Sequence, residues 1–127
     1  MQEKHLYEYA VIRIVPLVER EEFINVGVVL FCKKAKYIAM RFNLKEEKTK
    51  LFCKEIDIHQ IELNLQSFEK IAYGHVDGGP IAKMDIPSRF RWLTAVRSSV
   101  IQTSRPHAGL CDDLEVTFKR LFDELVL

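Results

Sequence analysis

Two arginines, an asparagine and a glycine stand at matching parity in three neighbouring apolar runs near the start of the chain. They are Arg13 in LYEYAVIRIV (6–15), Asn25 and Gly27 in FINVGVVLFC (23–32), and Arg41 in KYIAMRF (36–42). Successive side chains of a strand alternate between faces. If the runs pair, Arg13, Asn25, Gly27, Tyr37 and Arg41 share one sheet face. A glycine there leaves a depression, and two guanidinium groups beside it suit a carboxylate or phosphate. The plainer reading pairs Arg13 with an internal acid such as Glu8 or Glu19 and makes Gly27 a β-bulge. It is preferred, because structural ion pairs also populate such positions.

A second cluster is RFRWLTAVRSSVIQTSRPH (89–107), with four arginines, the only tryptophan and a run of hydroxyl side chains. Arginine beside an exposed ring is what single-stranded nucleic acid binding uses. On a helix, however, Phe90, Leu93 and Thr94 fall on one side, and Arg89, Trp92 and Val96 on another. Trp92 then reads more simply as a core anchor with arginines at its edge. The full set of candidate ligand-binding residues is Arg13, Asn25, Gly27, Arg41, Arg89, Arg97, Gln102 and His107. In the strongest version, Arg13, Asn25, Arg41, Arg97 and His107 line one cleft. HAGLCDD (107–113) brings an imidazole, a thiol and two carboxylates together, but its spacing fits no nucleophile motif. No catalytic residue is assigned. The four histidines are scattered, the three cysteines form no CxxC pair, and no phosphate-cradling glycine motif occurs, so no metal or other cofactor is expected.

The elements that must position these residues are legible from periodicity. The run at 6–15 is apolar in both alternating sets, which asks for cover on both faces, and it stops at Pro16. The runs at 23–32 and 36–42 follow as a hairpin. Ile58, Ile61, Leu65, Phe68 and Ala72 follow a 3-4 spacing, with Asp57 as N-cap and Gly74 as stop. A shorter helix over 45–54 would bury Leu51 and Phe52. Residues 74–80 read as a loop, 88–96 as a helix after Pro87, and 99–103 as a short strand ahead of Pro106. Asp112 and Glu115 have capping-box spacing before Leu114, Phe118, Leu121 and Leu125, an amphipathic closing helix. The order β-β-β-α-α-α-β-α predicts an α+β fold: a mainly antiparallel sheet of about four strands with helices packed on one face. Residues 1–127 read as a single domain.

At 127 residues, 48% hydrophobic and 29% charged, the chain is too apolar for disorder and too short for two cores of ordinary size. A net charge of +1 gives no global pull toward nucleic acid or anionic lipid. Charge is nevertheless segregated, and the basic segments 33–54 and 83–107 keep nucleic acid as a partner that is not favoured. No apolar run is long enough for a membrane span and the N-terminus lacks a signal peptide's apolar core, so a cytoplasmic setting without membrane contact is expected.

YEYAVIRIVPLVEREEFINVGVVLFC (7–32) and RFRWLTAVRSSVIQTSRPHAGLCDD (89–113) resemble a bacterial family of small proteins described as domain of unknown function 3037. The two blocks cover about two fifths of the chain; Gly79-Pro80 and the closing helix also fit. The chain departs from the family pattern at Val96, where a proline is expected. The resemblance implies a protein partner, a kinase-like protein similar to the HipA toxin. The expected function is therefore a non-enzymatic protein-interaction or regulatory module. One alternative is a small anionic-ligand or phosphate-binding protein, an enzyme included, with an arginine-lined cleft. The other is a nucleic-acid-binding domain.

Overall fold

The computed structural model describes residues 4–15, 23–45, 47, 49, 57–96 and 99–127. Its centre is a five-stranded antiparallel sheet: β1 (His5–Ile14), β2 (Ile24–Cys32), β3 (Tyr37–Phe42), β4 (Ile101–Thr103) and β5 (His107–Cys111). The order is β3-β2-β1-β4, and β5 also pairs with β1. The long β1 thus carries two short strands end to end along one side, β4 against Ile12–Ile14 and β5 against His5–Tyr9. Three helices complete the fold: α1 (Ile58–Ala72), α2 (Ile86–Leu93) and α3 (Leu114–Leu125). The α+β class and the antiparallel sheet agree with the sequence reading.

Cap chemistry sets the helix starts. Asp57 accepts from the Gln60 amide at 3.1 Å and Asp85 from the Ser88 amide at 2.9 Å, each satisfying a donor that has no partner within its helix. The Ser88 hydrogen bonds hold the Asp85 carboxyl below its ordinary pKa. Gly74, at φ +64°, ends the run after α1 as expected. The cap of α3 lies one residue later than the sequence suggests: Asp113, not Asp112, accepts from the Val116 amide at 3.1 Å. The expected short helix over 45–54 is seen only at Glu47 and Thr49, and Leu51 and Phe52 lie outside the described residues.

Helices on one face only is the part of the prediction that fails. Ala10, Ile12, Ile14, Val29, Phe31, Ile38 and Met40 pack with α1 and α2. Tyr7, Val28, Leu30 and Cys32 pack on the other side with Leu114, Leu121 and Phe122 of α3. The cause is in the strands: β2 is apolar in both alternating sets, and leaving either set open would expose large apolar area to water. A β-bulge sorts the residues of β2. Ile12 pairs with Gly27 and Arg13 with Asn25, so Val26 is the extra residue. Beyond it parity switches, and Val26 and Val29 face the same cluster.

The outer edge of β3 is sealed by a side chain. The Tyr73 hydroxyl accepts from the Met40 amide at 3.1 Å and donates to the Met40 carbonyl at 3.0 Å. This blocks strand addition there. Tyr73→Phe is expected to lower stability by about 1 kcal/mol and to speed amide exchange at Met40. Urea denaturation and hydrogen exchange measure the two effects.

Candidate functional site

Pleat parity places Arg13, Asn25 and Arg41 on the α3 face. The Arg13 guanidinium lies 4.1 Å from the Phe23 ring centroid, and that of Arg41 lies 4.5 Å from Phe122. Asn25 Nδ2 donates to the Leu125 carbonyl at 3.2 Å, so the C-terminal end of α3 rests against this part of the sheet. Helix C-termini carry partial negative charge. The last turn of α3 has no basic residue of its own, and Arg41 on Phe122 supplies a cation there. Two interstrand spacings and three residues along β2 separate Arg13 from Arg41, about 14 Å between Cα atoms from sheet geometry.

Gly27 leaves no depression beside them. The bulge turns it to the opposite face, where an added Cβ would stand 2.8 Å from the Arg41 carbonyl oxygen and 3.3 Å from Ile12 Cδ1. Its missing side chain lets β3 approach closely, and the bulge that the sequence had placed at Gly27 forms one residue earlier, with Val26 as the extra residue. Of the two acids suggested for Arg13, Glu8 instead takes a two-pronged ion pair from Arg91, at 3.0 and 2.8 Å, and Glu19 lies outside the described residues. Arg13 Nε and Asn25 Oδ1 are buried at directly opposed positions, with no hydrogen-bond partner among the described residues. Burial lowers the Arg13 pKa from its ordinary value.

The remaining candidates are dispersed. Arg89 Nη1 donates to the Met84 carbonyl at 3.1 Å and the Ala82 carbonyl at 3.4 Å, clamping the 3-10 turn at Ile81–Lys83. Gln102 pairs with Arg13 across β1 and β4, and its amide donates to the Ser99 carbonyl at 2.9 Å. His107 is exposed on β5, tilted over Tyr9 with ring centroids 5.4 Å apart. Arg97 lies outside the described residues. Trp92 is 38% exposed and meets Phe68 edge-on at 6.0 Å, whereas Phe90 and Leu93 of the same helix are fully buried. The described candidates thus divide among the α3 face (Arg13, Asn25, Arg41), the α2 clamp (Arg89) and the sheet rim (Gln102, His107), with Gly27 turned to the opposite face. Among the described residues, no three His, Cys, Asp or Glu side chains cluster as a metal site requires.

A different feature emerges at the β5 end of the sheet. β5 is a strand that sequence reasoning missed, because HAGLC has no β-branched residue and a glycine at its centre; the alternation between Pro106 and Asp112 was the available signal. Cross-strand partners Leu6 and Leu110 are each 63% exposed on the face that carries α2. Beside them is a groove of about 460 Å³ between Leu6, Phe31, Pro87 and Ala108, with Lys33 and the Arg91–Glu8 pair at its rim. An adjoining hollow of about 690 Å³ is bordered by Lys4, His5, Lys33 and Lys34. Among the described residues, no strand pairs with the outer side of β5.

The chain matches, over residues 9–126, the family model described as Protein of unknown function (DUF3037). The chain belongs to this family. For DUF3037 the match takes in β2 to β5, α3 and all of β1 except its first four residues, so it extends well beyond the two sequence blocks. No curated protein and no solved structure matches the chain. No helix among its described residues is long and apolar enough to cross a membrane.

Proposed function

We propose that this DUF3037 protein is a non-enzymatic interaction module that docks a partner protein at the β5 end of its sheet. The observation that carries this reading is the Leu6–Leu110 pair, two large apolar side chains left 63% exposed side by side at the rim of a groove. Burying such a pair removes apolar area from water, and a contiguous exposed patch of this kind marks an interface. Lys4, Lys33 and Lys34 border the same region, with Glu8 engaged by Arg91. An acidic segment with apolar anchors suits that surround, the lysines guiding approach and the leucines holding the contact. The partner implied by the family resemblance is a HipA-like kinase in a cytoplasmic setting.

Calorimetric titration of the full chain with a purified HipA-like kinase from the same genome tests the reading. Binding with Kd of about 10 µM or tighter is expected. Leu6→Glu and Lys33→Glu should each weaken it about tenfold or more, while Val116→Glu, exposed on α3, should leave it unchanged. No heat and no co-migration at micromolar concentration would sink the proposal.

A further inference from the structure

The two outer edges of the sheet are treated differently. Tyr73 seals β3 at Met40, whereas among the described residues no strand pairs with the outer side of β5. An unpaired edge presents a row of N–H and C=O groups that is a template for another strand. β5 carries no Lys, Asp, Glu or Pro within His107–Cys111, the residues that commonly protect such an edge.

The register of self-pairing is constrained. Alternate residues of an edge strand aim their backbone groups outward, so two copies of one strand can pair antiparallel only with residues of equal parity opposed. The register that overlaps all five residues centres on Gly109. It sets Ala108 against Leu110 of the second copy on the α2 face, extending the Leu6–Leu110 strip across both molecules. On the α3 face, Gly109 meets its own counterpart where the Tyr7 ring already fills the space a Cβ would need, 2.6 Å from Tyr7 Cζ. The same register brings exposed Arg105 of each copy opposite exposed Asp113 of the other. Asp113 commits Oδ1 to capping α3, which leaves its second oxygen for a cation. Shifting the centre to Ala108 or Leu110 loses the Arg105–Asp113 complementarity.

From this open edge, apolar strip and opposed charge we infer that two copies of this chain associate through β5, antiparallel about a two-fold axis at Gly109. The resulting sheet runs continuously through both molecules and sets two docking grooves side by side. The inference stands on the edge and its charge pattern, independently of the kinase reading.

Sedimentation velocity on the full chain, from micromolar to about 300 µM, is expected to show a concentration-dependent shift from 14.9 kDa toward twice that mass. Arg105→Asp puts acid against acid in both flanking pairs, and Asp113→Arg puts base against base. Each variant alone should dissociate about tenfold more readily, and an equimolar mixture should recover wild-type association because both pairs become attractive. Far-UV circular dichroism confirms that Asp113→Arg, which also gives up a cap, remains folded. A wild-type monomer throughout the range, dimerisation indifferent to both variants, or a mixture that stays dissociated overturns the inference. Loss of kinase binding leaves these readouts untouched, so the two proposals fail separately.

Discussion

Phe90→Ala is expected to lower the unfolding free energy by about 3–5 kcal/mol. Phe90 is fully buried and stacks on Phe31 with ring centroids 4.6 Å apart and an interplanar angle of 27°. It is the largest side chain that α2 sends into the core, with Leu93 beside it. Truncation forfeits the transfer energy of the ring and leaves a cavity between α2 and β2 that the sheet is poorly able to collapse into. Domains of this size have about 5–15 kcal/mol in total, so the variant should approach the unfolding threshold. Urea denaturation measures the change as a shift in midpoint at unchanged slope. A loss below about 1 kcal/mol would mean that α2 is not anchored through this ring. The groove wall made by Phe31 and Pro87 would then have another support.

Gly27→Ala is expected to cost about 1–3 kcal/mol despite adding a single methyl group. The new Cβ would stand 2.8 Å from a backbone oxygen, that of Arg41, and 3.2 Å from Phe42 Cβ. Neither is the far end of a flexible side chain, so β3 must move away from β2 and lengthen ladder hydrogen bonds. The experiment also separates two roles for this glycine. Opening onto an arginine-lined pocket, it would accept alanine at little cost and change the surroundings of Arg13. Placed by the bulge on the opposite face, it should destabilise the sheet while the Arg13 side-chain NMR resonances stay where they are. Chemical denaturation together with side-chain NMR distinguishes the outcomes.

Much of the architecture was legible in local pattern. β1, β2 and β3 lie within a residue or two of the alternating apolar runs, and α1 begins and ends where Asp57 and Gly74 say it should. Such features depend on a residue's own backbone preferences and on neighbours within one turn, which is information a single chain carries directly. The shared face of Arg13, Asn25 and Arg41 was legible for the same reason, since pleat parity needs no knowledge of partners. What those arginines do there was not. Phe23 under Arg13 is close in sequence, but Phe122 under Arg41 arrives from the far end of the chain.

From residue order alone come the α+β class, four strands, the cap of α1, and membership of a family. Packing alone decided that α3 crosses to the second face, that an extra residue at Val26 reverses the parity around Gly27, that HAGLC becomes a strand, and that Leu6 and Leu110 meet at an uncovered edge. The division has one physical cause. Periodicity and capping are short-range energies that each segment settles for itself. Which apolar face covers which, and which backbone edge goes unpaired, follow from contacts between residues up to about a hundred positions apart in sequence, such as Asn25 with Leu125.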